Sequence, residues 1–413
     1  MKEIWAILLS ALFVTSSALA ENSISLLINP QLNNYSSDTL FAVPDSIIEK
    51  PKATSQQIIE LTGANPDQLV DLSYLFSLHN QLSSSRSPDT IFKTNELYLS
   101  KSLNNWEIML GRKISSWGVG YGFRPLDVVQ QYDQQTISRQ SDMGKNMVAL
   151  EYFSGMSSWS LLWVNPAHSK NSENKNYEVE SIVSKYSTSQ ESYDLHAVFR
   201  YNEKNRFQLG FGGINILSDE VAVHGSLLFS QLYQKQLHQL GGQSSILLAE
   251  YPPYKEVDYS FGFQVLAGLS WSGLSKNSLI VEHWYNELAY SDKQWDQLFK
   301  LAEQQQNLLN NRSLPQSIIH GNIAWTAAAT QTQALAQHNL MLQWSYDADY
   351  WKPTANILLS PVDKSSMITL STTRSTHLFK FEAGIRTFNG ANDSIYGGLI
   401  VSNTVFMTLS GEY

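Results

Sequence analysis

The side chains of this sequence that could carry out covalent chemistry are few. The chain has no cysteine, which excludes thiol chemistry, cysteine metal ligands and disulfides. It contains no His-Glu-x-x-His motif and no phosphate-binding glycine loop. The segment Gly268–Gly273 differs from the Gly-x-Ser-x-Gly elbow of hydrolases, and Asp347 and Asp349 fit turn chemistry better than a calcium site. These features predict a protein that is not an enzyme and that needs no cofactor.

Charged side chains recur at alternate positions of apolar segments, where they could act on a solute electrostatically. In the segment 193–201 the apolar residues share one parity and the charged residues the other, and the segment 377–387 repeats this pattern. Successive side chains of a strand point to opposite faces, so the charges are predicted to line one face of a sheet. They are Glu107, Glu151, Asp194, His196, Arg200, Glu282, Lys380, Glu382 and Arg386.

A glycine-rich segment after residue 110 is the second candidate site. Leu110 to Val129 contains four glycines, three aromatic residues and a proline at 125, a composition that predicts a folded loop. If this loop folds inward, it would present charge and aromatic surface to a pore. The residues predicted for that role are Arg112, Lys113, Trp117, Arg124 and Asp127. The alternative is a loop that only seals the end of the fold.

Two-residue alternation with turn residues between the runs predicts the elements that position these residues. From Val70 onward about sixteen strands (14 to 18) are expected, ending with Thr404–Tyr413. Arg or Lys facing lipid at mid-depth costs roughly 2–4 kcal/mol in a transmembrane barrel, so the charges would face a lumen. The sequence also has 11 Trp and 20 Tyr, enough for aromatic girdles at both membrane surfaces. The predicted fold is an all-β, antiparallel transmembrane barrel; a soluble β-sandwich is the alternative.

The connections between the predicted strands sort by length. The segments 112–146, 231–256, 287–338 and 388–403 fall on one side, and the short links 217–220, 272–277 and 374–375 on the other. Outer-membrane barrels combine long extracellular loops with short periplasmic turns in this way. Within the longest loop, Gln294–Asn311 has apolar residues at helical spacing, which predicts a helix over or inside the mouth.

The first 69 residues are predicted to lie outside the barrel of residues 70–413. Residues 1–20 have a short apolar run and a small-residue Ala18-Leu19-Ala20 site, which predicts a secretory signal cleaved after Ala20. Residues 21–69 lack sustained alternation and are expected to form a periplasmic N-terminal arm or a lumen plug. A strand at Ile24–Ile28 is the alternative.

Two segments resemble known bacterial outer-membrane barrels. The closing segment, with Val405, Met407, Leu409 and a final Tyr413, resembles the C-terminal signal of these proteins. This resemblance implies recognition by the barrel-assembly machinery and contact with outer-membrane lipid and lipopolysaccharide. Leu110-Gly-Arg-Lys, leading into Trp117-Gly118, resembles porin-type barrels of the alginate-export and related substrate-channel kind. That implies a channel for a hydrophilic small solute or polymer, although the segment has few of the arginines that an alginate conduit needs.

Three functions remain open at this point. The favoured one is an outer-membrane channel, and the alternative is a non-conducting barrel that acts in secretion, assembly or surface attachment. An outer-membrane hydrolase is the third, because His283 lies on the lipid-facing parity of its strand; a structural histidine is the competing explanation. Nucleic acid is not expected as a partner, since the net charge is −9.

Overall fold

Eighteen antiparallel strands form one closed barrel in the computed structural model, which describes residues 21–65, 69–130, 143–166, 179–243, 245–311, 313–332 and 334–412. β1 pairs with β2 on one side and with β18 on the other, so the sheet closes into a ring. The strands are β1 (Glu21–Tyr35), β2 (Ala53–Asn65), β3 (Asp71–Ser83), β4 (Asp89–Leu103), β5 (Trp106–Lys113), β6 (Lys145–Ser154), β7 (Ser157–Val164), β8 (Ser181–Ser189), β9 (Tyr193–Asn202), β10 (Arg206–Ile216), β11 (Val221–His238), β12 (Tyr254–Ser272), β13 (Asn277–Asn286), β14 (His338–Tyr346), β15 (Lys352–Leu359), β16 (Ser366–Ser375), β17 (Phe379–Asn389) and β18 (Val401–Glu412).

Two helices interrupt the connection between β13 and β14. They are α1 (Asp292–Leu308) and α2 (Gln316–Ala327), followed by a 3-10 turn at Ala328–Gln331. The Ser291 hydroxyl accepts from the Gln294 N–H and the Gln294 side chain accepts from the Ser291 N–H, a capping box that fixes where α1 begins. The helix predicted at Gln294–Asn311 is therefore present. Within the described ranges, no helix combines the length and the apolar character needed to cross a bilayer.

The prediction of about sixteen strands was two short. The sixteen strands predicted from residue 70 onward correspond to β3–β18, and the two others come from residues 21–65. That segment was predicted to be an arm or plug, but it forms β1 and β2, and the alternative of a strand at Ile24–Ile28 matches part of β1. Pro30 breaks the alternation of β1 and a run of polar residues weakens it in β2. The predicted signal peptide, its cleavage after Ala20, and Tyr413 lie outside the described residues.

The connections sort between the two ends of the barrel as predicted. The connections after β5, β11, β13 and β17 all lie at one end, the long-loop end, and include residues 114–144 and 287–337. The connections after β10, β12, β14 and β16 lie at the opposite, short-turn end and have three to five residues each. The two strands that were not predicted, β1 and β2, form a pair. Each later connection therefore lies at the same end of the barrel as predicted.

Side-chain parity separates an inner from an outer face. Met147, Leu266 and Met341 belong to buried clusters that include loop residues, so their parity faces the lumen. The opposite parity exposes large apolar side chains, among them Leu110 at 57% and Met407 at 50%. A soluble protein rarely exposes a continuous apolar surface of this kind. The exposed surface therefore requires an apolar surrounding.

Aromatic residues concentrate near both ends of the outer face. At the short-turn end the ring centroids of Trp106 and Tyr152 lie 4.7 Å apart, and those of Trp159 and Tyr186 lie 4.5 Å apart on the next two strands. At the long-loop end Phe207, Phe229 and Phe263 pack together, with Phe229 at 5.8 Å and 5.3 Å from the other two rings. Such belts are typical of barrels that cross a membrane.

Phe406 explains the one break in the alternation of the closing strand. It lies on the lumen-facing parity and is 2% exposed. The ring packs over Gly384 of β17, where an added Cβ atom would lie 2.6 Å from Phe406 Cζ. The aromatic side chain thus fits inside because its neighbour has no side chain.

Candidate functional site

Residues 114–130 follow β5 and form a loop that folds into the lumen. The buried Asp127 carboxylate organises this constriction loop by accepting hydrogen bonds from the N–H groups of Trp117 and Gly118, the latter at 2.7 Å. It also accepts from the Ser116 hydroxyl at 2.8 Å. The Arg124 guanidinium donates to the Gly120 carbonyl at 2.8 Å and to Ser116 Oγ at 3.1 Å. The loop is therefore held together by hydrogen bonds between its own residues, in addition to its contacts with the barrel wall.

Glu282 of β13 attaches the tip of the constriction loop to the wall. Its carboxylate is fully buried and accepts the N–H of Tyr121 on Oε1 and the N–H of Gly122 on Oε2, both at 2.7 Å. His224 Nε2, on β11, lies 2.7 Å from the same Oε1. A carboxylate only accepts, so this imidazole nitrogen carries the proton in the contact. One acidic side chain therefore compensates two loop donors that lie inside the barrel.

The base of the constriction loop is fixed by β9 and β10. Arg200 is buried and donates to the Val128 carbonyl at 2.6 Å and to Gln208 Oε1 at 3.3 Å. Leu126 is completely buried over Gly210, where an added Cβ atom would lie 2.5 Å from Leu126 Cδ2. Val128 and Val129 belong to the buried apolar cluster of β5–β11, which includes Met147. The described contacts of the loop thus run along the wall from β4 to β14.

Two residues predicted to present charge to a pore do otherwise. β5 continues to Lys113, so Arg112 stays on the face of Leu110, which points outward; its guanidinium donates to Asn146 Oδ1 at 3.1 Å and to the Thr94 carbonyl at 3.1 Å. The prediction of an inward Arg112 was wrong because the segment was assigned to a loop. Asp127 was also misassigned, since its carboxylate is buried in bonds within the loop.

The other predicted loop residues lie inside the barrel. Lys113 Nζ is 5.1 Å from the centroid of the Tyr98 ring, and Lys185 Nζ of β8 is 5.3 Å from that of Trp117. Arg124 is half-buried in the bonds described above. Tyr121 is 45% exposed, and its ring meets that of His224 edge-on at 5.5 Å. Tyr121 is therefore the aromatic side chain that the loop presents on its free surface.

The nine charges predicted on the strands all have lumen-facing parity, in different settings. Arg200 and Glu282 are buried under the constriction loop, and Arg386 is buried with its Nε donating to Thr369 Oγ1 at 3.0 Å. Glu107 pairs in register with Glu151, which places two carboxylates side by side near the short-turn end. His196 Nδ1 lies 3.0 Å from the Ser187 hydroxyl, and Asp194 accepts from Ser189. Lys380 and Glu382 are the remaining two. The predicted charges of β5–β9 therefore lie on neighbouring strands, whereas those of β17 lie on a different part of the barrel wall.

A helical cap, formed by residues 287–337, covers part of the long-loop end. Trp295 and Phe299 of α1 and Phe41 of the β1–β2 loop belong to one buried apolar cluster that also contains the lumen-facing Trp284 and Met341. Trp295 is 2% exposed and its Nε1 donates to the Leu335 carbonyl at 2.8 Å.

Amide side chains join this cap to the neighbouring loops. Gln306 Nε2 donates to the Leu40 and Ala42 carbonyls at 3.1 and 3.0 Å, and Asn322 exchanges two hydrogen bonds with the backbone of Ala249.

Burial raises the pKa of the Tyr290 hydroxyl at the base of the cap to about 12.

Sequence reasoning missed three residues that carry the site. His224 and Gly210 lie on predicted strands with lumen-facing parity, so parity could have flagged them, but their partners lie far away in the sequence. Tyr121 was noted only as a loop aromatic. His283 has its predicted outward parity, and its ring stacks on that of His338 at 5.9 Å.

The architecture and the inward loop define the class of fold. A closed, antiparallel barrel of 18 strands resembles the fold of outer-membrane porins. No family model and no curated protein matches the sequence.

Three solved structures from Pseudomonas aeruginosa are similar over nearly their whole length. OccK5 (OpdH) has a TM-score of 0.56 at 9% identity, covering 95% of this chain and 97% of that chain. OpdK, solved with vanillate, has a TM-score of 0.54 at 8% identity and 95% and 98% coverage. OccK11 (OpdR) has a TM-score of 0.53 at 7% identity and 95% coverage of both chains. At these identities the likeness establishes the fold, and the resemblance to alginate-export barrels stays a prediction.

Proposed function

We propose that this protein is an outer-membrane channel of the porin type that passes a hydrophilic small solute or polymer. The observation that carries the proposal is the constriction loop, which Glu282 and Arg200 hold inside a closed barrel. A loop held there narrows the lumen, and polar and charged side chains around a narrow passage select what enters. The outward apolar surface and the aromatic belts support a membrane location.

The proposal includes the surroundings of the barrel. Outer-membrane lipid and lipopolysaccharide would cover the outward apolar face, with the long loops outside the cell and the short turns in the periplasm. Val405, Met407 and Leu409 point outward on β18. These three residues, together with Tyr413, would be recognised by the barrel-assembly machinery. No covalent chemistry forms part of this function.

Planar-bilayer recording of the refolded mature protein tests the proposal. We expect discrete ion-conducting steps from the native protein and a larger conductance after deletion of Gly118–Pro125, since the loop narrows the lumen. Heat-denatured protein added at the same concentration is the control for leakage. If neither the native protein nor the deletion variant conducts, the channel proposal fails.

The helical cap favours one alternative, a non-conducting barrel that acts in secretion, assembly or surface attachment. Trp295, Phe299 and Phe41 fill part of the mouth, as a plug would. Replacement of residues 291–331 by a short glycine-serine linker separates the two functions. A native protein that is silent in the bilayer, together with a conducting linker variant, would favour the plugged barrel, whereas similar currents from both would favour the channel.

A further inference from the structure

A row of amide and hydroxyl side chains crosses the lumen-facing side of six neighbouring strands. Register pairs connect its members one to the next from β14 through β18 to β1. Asn356 donates to Gln343 Oε1 at 3.2 Å, and the Thr404 hydroxyl donates to Asn33 Oδ1 at 2.8 Å. The row consists of Gln343, Asn356, Thr369, Arg386, Thr404 and Asn33. The Arg386 guanidinium is therefore the single charged group of this row.

A second row lies one step nearer the short-turn end. Ser345, Thr354 and Ser371 are paired in register on β14, β15 and β16, and each carries a hydroxyl. The same step on β17 and β18 holds Gly384 and Phe406. We call the two rows together the polar wall. The lumen-facing side of β5–β9 differs, since it carries Glu107, Glu151, Lys185, Asp194 and His196. On β17, Glu382 and Lys380 lie beyond the polar wall, further towards the short-turn end.

Most of the polar wall is covered neither by the helical cap nor by the constriction loop. Immediately towards the long-loop end, Met341, Leu358 and Met367 form an apolar row that belongs to the same buried cluster as Trp295 and Phe299 of the helical cap. The constriction loop has its described contacts on β4–β14, so most of the polar wall lies on the remaining arc of the ring. Gln343, Asn356 and Thr369 are each partly exposed, whereas Ser345, Arg386 and Thr404 are buried, so most of the accessible part of the wall lies on β14–β16. A solute that passes the loop would therefore meet these groups.

The chemistry of the wall selects a kind of solute. Amide and hydroxyl groups both donate and accept hydrogen bonds, as the hydroxyls of a saccharide do. Recognition of an anion calls for a cluster of arginine or lysine side chains, but Arg386 is alone in its row and donates its Nε to Thr369. Tyr121 adds an exposed ring on the loop. We infer, on the basis of the proposed channel function, that the polar wall binds an uncharged polyhydroxylated solute such as an oligosaccharide.

Block of the ion current by a neutral sugar tests this inference. Raffinose, an uncharged trisaccharide, and vanillate, an aromatic carboxylate, are added separately to refolded mature protein in a planar bilayer. We expect raffinose to reduce the ion current in a saturable way and vanillate to leave it nearly unchanged. A saturable block by vanillate that is lost in Arg386→Gln, without a block by raffinose, would overturn the inference.

A matched pair of variants locates the binding groups. Thr369→Val removes a hydroxyl from the polar wall without changing the side-chain volume, and Thr372→Val makes the same change on the outward face of β16, beside the exposed Leu370. We expect Thr369→Val to raise the half-blocking raffinose concentration by about threefold to tenfold, and Thr372→Val to leave it unchanged. Thr369→Ser should restore the native value. Asn356→Leu is a second variant of the wall and should act in the same direction.

These experiments distinguish failure of the saccharide inference from failure of the channel proposal. If the native protein conducts ions but raffinose causes no saturable block, or if Thr369→Val and Asn356→Leu both leave the block unchanged, the inference is wrong and the channel proposal stands. If no variant conducts, including the protein without Gly118–Pro125, the channel proposal fails and the inference fails with it.

Discussion

The constriction loop and the helical cap both fold inward from the long-loop end, but different forces hold them. The loop has no helix or strand between residues 114 and 130, and its backbone N–H groups bond to the buried carboxylates of Asp127 and Glu282. The cap consists of two helices held by an apolar cluster around Trp295 and Phe299. The position of the loop tip therefore depends on a few charged groups, whereas that of the cap depends mainly on packed volume.

The largest expected effect is on the cap. Trp295→Ala removes a fully packed ring and the hydrogen bond to Leu335, and should destabilise the cap by about 3–5 kcal/mol. We expect proteases to cut residues 287–337 while the barrel keeps its folded mobility on gels. Lys293→Ala, on the exposed side of α1, is the control. A protected cap in the tryptophan variant would show that packing does not hold it.

The second-largest effect is expected at the constriction loop. Glu282→Gln preserves volume but replaces one acceptor oxygen by an NH2 group, which faces an N–H donor of the loop, so we expect a loss of about 2–3 kcal/mol. Because the barrel stays closed, single-channel currents should become noisier rather than disappear. Glu107→Gln makes the same change at a lumen carboxylate near the short-turn end. Equal noise from both variants would contradict the role of Glu282.

A smaller effect is expected where the loop rests on β10. Gly210→Ala places a Cβ atom 2.5 Å from Leu126 Cδ2, and Leu126 is too buried to move freely. Overpacking of this kind costs about 1–3 kcal/mol, measured as a shift in the denaturant midpoint in detergent. Gly321→Ala, where an added Cβ atom meets nothing within 4 Å, is the control and should cause no loss.

The smallest effect is expected at an exposed turn of the short-turn end, which gives a baseline for the comparison. The hydrogen bond from Lys276 to Asp349, together with their attraction, raises the pKa of the Lys276 ammonium group. A raised pKa stabilises the fold below the ordinary lysine pKa, and this contribution is lost as the pH rises through the raised value. Asp349→Asn should therefore lower the thermal midpoint slightly at about pH 8 and not at all at about pH 12. Asp219→Asn, at an exposed turn of the same end, is the control.

Much of the barrel could be predicted because most of its strands place an apolar side chain at every second position. The strands β3–β18 follow from apolar residues at every second position, and even the inward Phe406 leaves the parity of β18 unchanged. β1 and β2 could not be recognised as strands with the same ease. Pro30 lies inside β1, and β2 carries Ser55, Gln56 and Gln57 in succession, so the period of two is hidden.

The candidate site was less predictable because its contacts join distant segments. Parity placed Glu282 on the inner face, but nothing local showed that its carboxylate accepts from Tyr121 and Gly122, 161 and 160 residues away. The charge of Asp127 suggested a pore residue, although the loop uses it internally. Arg112 was misassigned because the end of β5 carries no turn signal before Lys113.

The pairing of β1 with β18 has a consequence for how the molecule forms. Ser25 is the register partner of Glu412, so the contact that completes the ring joins the two most distant strands of the chain. A sheet in which β1 and β18 have not yet paired has two unpaired edges, and their N–H and C=O groups favour aggregation. Contacts of such long range also form slowly. We therefore expect closure of the ring to be a late step of folding, before which the open sheet can pair with other copies of itself.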